Sequence, residues 1–231
     1  MKAPSANALV GSIPPEILAD FAAQFEDVAL AHNAILHDVG ESVSHLYFPL
    51  TGVVSVFTIV ENADPVENAV IGREGVAGTI ALARVPAFAR ATVQIPGKAL
   101  RMRTDAFLKL YGACPAFRTA ILRFNASIIA QIQQNVACNI LHDTKQRICR
   151  WLLHASDRMG SMDLSLTQEA LAQSISAHRA TVISAIGSLQ QDGVIRHGRG
   201  KIRVIDHPRL LAYSCECYKL VQLQYAELLR Q

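Results

Sequence analysis

The chain has 231 residues, 51% of them hydrophobic, with a net charge of +3 and five cysteines, which allows about two domains with full cores. No apolar run approaches the ~18 residues that span a bilayer, and the opening Met1-Lys2-Ala3-Pro4-Ser5 lacks a charged-then-apolar export signal, so a cytoplasmic protein with no membrane partner is expected. Residues 1–112 hold 8 basic against 11 acidic side chains and residues 141–213 hold 10 against 6, so the positive charge that favours a polyanionic partner is confined to the second half.

Ile13-Pro14-Pro15-Glu16 is a helix start, with Ile17, Leu18, Phe21 and Phe25 on one apolar face. From Val28 to Met102 the pattern changes to short β-branched runs punctuated by glycines, which predicts an antiparallel all-β unit with Leu46–Phe48 and Val53–Phe57 as its clearest strands. Glu61-Asn62-Ala63-Asp64-Pro65 is a turn cluster. Thr104-Asp105 can cap a helix over Ala106–Tyr111.

A longer helix is predicted from Pro115. Phe117, Ile121, Phe124, Ile128 and Ile132 recur at three- and four-residue steps and Val136 continues them, giving a seam that a matching helix from a second copy would bury, so these residues are the expected dimer contacts. Asn139 to His142 is expected to break the run before a helix over Asp143–Arg158, with Ile148, Trp151, Leu152 and Ala155 inward. The five cysteines (Cys114, Cys138, Cys149, Cys215, Cys217) are odd in number and show no C-x-x-C spacing, so reduced thiols are expected. Cys215-x-Cys217 lacks a third ligand nearby in sequence, and His32, His37 and His45 read as scattered core or surface residues, so no metal ligand and no cofactor is assigned.

Thr167 to Val204 carries the clearest chemistry. Thr167 can cap a helix running to Ser174; Ile175-Ser176-Ala177 interrupts it; and from His178 to Gln190 the residues Val182, Ala185, Ile186 and Leu189 form a stripe of helical period. The other face carries small residues that permit close approach to a surface, and Arg179 lies in the first turn, where its fork of donors can reach a guanine edge. Asp192-Gly193 ends the helix, and Val194 to Val204 reads as two strands about a glycine-bearing turn, dense in cations. Helix, turn, helix and basic hairpin in that order are the parts of a winged helix-turn-helix.

Three runs, Leu46-Tyr47-Phe48-Pro49-Leu50-Thr51-Gly52-Val53-Val54, Leu141-His142-Asp143-Thr144-Lys145-Gln146-Arg147-Ile148 and Leu166–Ala172 continued by Arg179-Ala180-Thr181-Val182, make the chain resemble the Crp/Fnr transcription regulators from about Ile13 to Asp206. The resemblance implies an α+β protein: an N-terminal antiparallel β-roll of the cyclic-nucleotide-binding jelly-roll type (1–112), a long dimerisation helix (113–140) and a C-terminal winged helix-turn-helix with a helical tail (141–231). It implies a bacterial, non-enzymatic regulator whose partners are double-stranded DNA and a second copy of itself, with RNA polymerase and an unidentified small-molecule effector as candidates. By the same resemblance Arg179 would read a base, with His178, Ala180, Thr181 and Ser184 beside it, while Thr167, Gln168, Arg196, Arg199, Lys201 and Arg203 would hold phosphates.

The resemblance also has gaps. Cyclic-nucleotide-binding members carry Gly-Glu and Arg-Ser/Thr-Ala in the phosphate cassette. Here Ala77-Gly78-Thr79-Ile80-Ala81-Leu82 puts threonine where the glutamate belongs, and Ala89-Arg90-Ala91-Thr92-Val93 sets Ala89 at the arginine's place, so that Arg90 points to the other face of its strand. Gly78, Thr79, Ile80, Arg90, Ala91 and Thr92 are nonetheless the candidate effector pocket. In the long helix Ile132-Gln133 replaces the adjacent Thr-Ser pair that contacts the base. Control by cyclic AMP is therefore not expected. The iron–sulfur branch of the family needs cysteines near the N-terminus, and the first here is Cys114. The alternative is a small-molecule or cyclic-nucleotide receptor module that acts mainly through protein contacts.

Overall fold

The computed structural model describes residues 6–228. Helices α1 (Ala8–Gly11) and α2 (Pro15–Phe21) precede strands β1 (Glu26–Leu30), β2 (Ile35–His37), β3 (His45–Thr58), β4 (Val66–Ile71) and β5 (Arg90–Arg103). These form one antiparallel sheet in the order β1-β5-β3-β4, with β2 also on β5. The two runs read separately as Leu46–Phe48 and Val53–Phe57 are a single long strand, β3. It pairs with β5 from His45↔Arg103 to Phe57↔Arg90 with register shifts around Thr51, and such irregularities let one sheet bend into a roll. The bend needs glycine on both strands: Gly52 has φ +93°, and a Cβ on Gly97 would lie 2.3 Å from the Thr51 carbonyl oxygen.

The roll is closed by α3 (Thr104–Ala113) and α4 (Pro115–Leu141). Asp105 lies in the first turn of α3, which has no side-chain cap, while the Cys114 Sγ caps α4 by accepting from the Phe117 N–H. Phe117 meets Phe107 edge-on at 5.8 Å and Phe48 at 6.4 Å, which fixes the start of α4 against the roll. Further along, a Cβ on Gly75 would lie 2.1 Å from the Phe124 ring, so only glycine admits that ring beneath the β4–β5 connection.

The stripe expected to bury a second copy therefore has a different partner. Phe117, Ile121 and Phe124 are fully buried in the core of their own roll, and Ile128 and Ile132 are half-buried. Each buried side chain stabilises that packing by about 1.5–3 kcal/mol. Exposed large apolar positions of α4 are Leu122 (55% exposed), Ile129 (57%), Val136 (57%), Ile140 (77%) and Leu141 (74%). Leu122, Ile129 and Val136 recur at seven-residue steps. The helix does not break at Asn139; it continues to Leu141, about 40 Å in all.

Helix α5 (Thr144–Met159) follows, opened by a capping box between Asp143 and Gln146. Then come β6 (Asp163–Leu164), α6 (Gln168–Ser174), α7 (Arg179–Gln191), the hairpin of β7 (Ile195–Gly198) and β8 (Lys201–Val204), α8 (His207–Tyr213) and α9 (Cys217–Leu228). β6 adds to the hairpin as a three-stranded sheet. The second core gathers Trp151, Leu152, Leu171, Val182, Ile186, Leu189 and Ile202, and it continues into Val53, Val70 and Ile95 of the roll. The C-terminal unit is thus docked on its own roll.

Polar contacts fix that docking. Gln94 on β5 donates to the Ala170 carbonyl oxygen and the Ser174 hydroxyl of α6, both at 2.7 Å, and the Trp151 indole donates to Glu67 at 2.8 Å. Arg158 pairs with Glu74 at 2.7 Å. The expected α+β architecture, a roll joined by a long helix to a winged helix-turn-helix, is the one observed.

Candidate nucleic-acid interface

α6 and α7 meet across the turn Ile175–His178, where Ser176 takes φ +50°. The Thr167 hydroxyl caps α6 by accepting from the Ala170 N–H at 3.0 Å. Val182, Ile186 and Leu189 face inward, while the N-cap His178 and Arg179, Ala180, Thr181, Ile183 and Ser184 around the first two turns are exposed. No side chain caps the first turn of α7, and its free N–H groups and dipole suit an anionic phosphate. Lys145 holds the far end of α7 through Ser188 at 3.1 Å and Asp192 at 3.0 Å.

The hairpin adds exposed cations. Arg196, Arg199 and Lys201 lie in the open on β7, the tip and β8. Arg203 differs from them: it forms a two-pronged ion pair with Asp163 of β6, and the guanidinium holds the Asp163 carboxyl below its usual range. The guanidinium placed among the phosphate contacts by sequence therefore joins β8 to β6. Thr167 has its oxygen engaged in the cap, and Gln168 is half-buried at the start of α6.

In the roll, Gly78, Thr79 and Ile80 line a cavity of about 160 Å³ with His37, Val56, Ile71, Ala87, Phe88 and, from α4, Phe124 and Ile128. Arg90, Ala91 and Thr92 are not among its walls. Arg90 turns outward and pairs with Asp38 through two hydrogen bonds, at 2.9 and 2.8 Å, Ala91 is in the core, and Thr92 pairs with Ser55 of β3. The cause is strand alternation: at this register Ala89, not Arg90, faces the cavity. Burial pushes the His37 pKa down and so keeps its ring neutral, leaving the cavity without a fixed positive charge.

Between roll and reader lies a buried acid that sequence reasoning passed over. Glu67 on β4 accepts from Ser55 Oγ at 2.6 Å and from Trp151 Nε1 at 2.8 Å. Burial pushes its pKa up to about 7, with those two hydrogen bonds acting against the rise. Only an alternating strand places Glu67 inward, and a lone acid in a β run gives no local sign of that. Sequence reasoning also left Cys215 and Cys217 without a third ligand. The fold brings Cys138 and His142, the last turn of α4, to them.

Residues 146–213 match the Crp-like helix-turn-helix domain. Over most of its length the chain is similar to Crp/Fnr regulators. It is a DNA-binding transcription regulator. Over 206 residues it is 24% identical to the CRP-like cAMP-activated global transcriptional regulator of Mycobacterium tuberculosis, covering 86% of this chain and 92% of that protein. Its fold is that of FixK2 from Bradyrhizobium japonicum, with a TM-score of 0.68 at 14% identity over 83% of this chain and 98% of that one. It is equally that of the c-di-GMP responsive global regulator CLP of Xanthomonas campestris, with a TM-score of 0.66 at 15% identity over 83% and 99%. No helix among the described residues is long and apolar enough to cross a membrane.

Proposed function

We propose that the protein is a cytoplasmic homodimer that binds a palindromic operator and is not controlled by cyclic AMP. The observation that carries this reading is a pairing of opposites: an open donor face on α7 and the hairpin, and a small uncharged cavity in the roll. Arg179 reads a base edge in the major groove, flanked by His178, Ala180, Thr181 and Ser184; Arg196, Arg199 and Lys201 hold phosphates. Arg203 contributes less, because its guanidinium already has Asp163.

The dimer forms along α4 through Leu122, Ile129 and Val136, whose seven-residue spacing suits a parallel two-helix seam, with the half-buried Ile132 beside them. Two-fold symmetry then sets the two α7 helices about one duplex turn, ~34 Å, apart. On this reading the chain divides near residues 112 and 141 into roll, dimer helix and reader, and RNA polymerase is the partner for control of transcription.

Cyclic AMP needs a cation for its phosphate and an acceptor for its ribose. The cavity offers no cation and no carboxylate, and at about 160 Å³ it is below the ~300 Å³ at which ligand pockets begin. Selection of bound sequences from random duplex DNA, with and without cyclic AMP, tests the proposal. A two-fold symmetric site enriched equally in both arms is expected. Retention with no sequence preference, or enrichment only with cyclic AMP, would contradict it.

A further inference from the structure

Four metal-ligating side chains converge where α4 ends. Cys138 and His142 lie four residues apart at its last turn, and Cys215 and Cys217 approach from the start of α9; one ligand atom from each lies within 4.8 Å of all the others. The Cys138 and Cys215 sulfurs are 3.6 Å apart, and Cys217 Sγ is 3.6 Å from His142 Nδ1. Four-coordinate zinc bonded at about 2.3 Å to sulfur and about 2.0 Å to nitrogen has tetrahedral edges of roughly 3.5–3.8 Å. Both 3.6 Å separations match such edges, and the sulfur–sulfur one is too long for a disulfide bond.

The surroundings are those of a ligand set. His142 presents Nδ1 to the sulfurs, while its Nε2 lies 3.2 Å from the Glu216 carboxylate, the outer partner that fixes tautomer and orientation in carboxylate–histidine–metal triads. Gln134 Nε2 donates to Cys217 Sγ at 3.0 Å. Arg147 and Arg150 lie in electrostatic reach of Cys138 and Cys215, and the Nε atom of each is buried without a hydrogen-bond partner. A divalent ion on three thiolates and a neutral imidazole carries a net charge of −1, which is the sign that two buried guanidiniums call for.

We propose that Cys138, His142, Cys215 and Cys217 form a closed structural zinc site. On binding, the three thiols give their protons to solvent, the His142 Nδ1 lone pair completes the tetrahedron, and no position remains for water or substrate. Cys138 and Cys215 are 77 residues apart, and the whole reader lies between them. The ion thus ties the entry of the DNA-reading unit to its exit and sets the angle at which α5 leaves α4.

The test uses the full chain, stripped with a chelator under reducing conditions and titrated with Co²⁺. Wild type should take up one ion per chain with thiolate-to-cobalt charge-transfer and intense tetrahedral d–d bands, and Zn²⁺ should displace it. Cys138→Ser and Cys217→Ser should shift these bands and weaken binding, whereas Cys114→Ser, whose hydroxyl keeps the α4 cap, should leave both unchanged. Glu216→Gln, at an exposed position, should cost about 10–100-fold in affinity with the bands retained. Because stripped wild type carries the main readout, a variant that fails to fold does not decide the matter. Absence of a thiolate–cobalt band in wild type, or an equal response of Cys114→Ser and Cys217→Ser, would overturn the proposal.

Discussion

The reader and the roll use cationic residues in opposite ways. On α7 and the hairpin, Arg179, Arg196 and Arg199 project into solvent without an ion pair, whereas at the cavity the nearest strand arginine, Arg90, is turned outward onto Asp38. A guanidinium that already has its carboxylate offers little to an incoming anion. What remains at the cavity is apolar wall and a neutral His37. The contrast teaches that one chain can leave cations free on one surface and pair them at another, because the two surfaces lie over separate cores.

On the proposed two-fold arrangement the largest expected effect comes from separating two copies, since a palindromic site needs both readers and the cavity does not. Ile129→Glu, at an exposed position of α4, should give a monomer in sedimentation and weaken operator binding by ~10²–10⁴-fold, the gain that bivalence provides. A dimer that persists with unchanged affinity would move the interface elsewhere.

Next is Glu67, at the joint between the two regions. Its pKa stands at about 7 in the fold against 4.5 ordinarily, so the native state binds the extra proton between those values. Its contribution to stability is fully present below about pH 4.5 and is lost as pH rises through 7, by up to ~3 kcal/mol. Glu67→Gln resembles the protonated acid and lacks that slope. Urea unfolding at pH 5 and pH 8 should show the variant gaining on wild type at the higher pH, and parallel behaviour would mean that Glu67 is not buried at the joint.

Arg179→Ala should cost ~1–3 kcal/mol and relax selectivity at one base position, with an unchanged selected sequence as the contrary result. The smallest effects sort the hairpin. Removing Arg196 or Arg199 should lower the slope of log affinity against log salt by about 1 each, while Arg203→Ala, which releases Asp163 instead of a phosphate, should leave it nearly unchanged. Equal slopes for all three variants would erase the distinction drawn between free and paired cations.

Much of the reader was legible in the sequence, because its helices satisfy local rules. Thr167 caps, Val182 to Leu189 repeat at helical period, and the glycine-bearing turn sits between the two strands of the hairpin. Which cations were free was not legible, since Arg203 and Asp163 are 40 residues apart. The α4 stripe has the expected period, but Phe117, Ile121 and Phe124 pack into their own roll: periodicity finds a buried face but not what buries it. The Cys138–His142 pair is a faint signal, two ligand types four residues apart at a helix end, which gains meaning only when the C-terminal segment carrying Cys215 and Cys217 folds back on it.

On the proposed function the protein reads DNA whether or not cyclic AMP is present. Fluorescence anisotropy on a selected operator duplex, titrated with protein at fixed salt with and without saturating cyclic AMP, tests it most directly. Superimposable, salt-dependent binding curves are predicted. A cyclic-AMP-dependent gain of tenfold or more, about 1.4 kcal/mol of coupling, would contradict it.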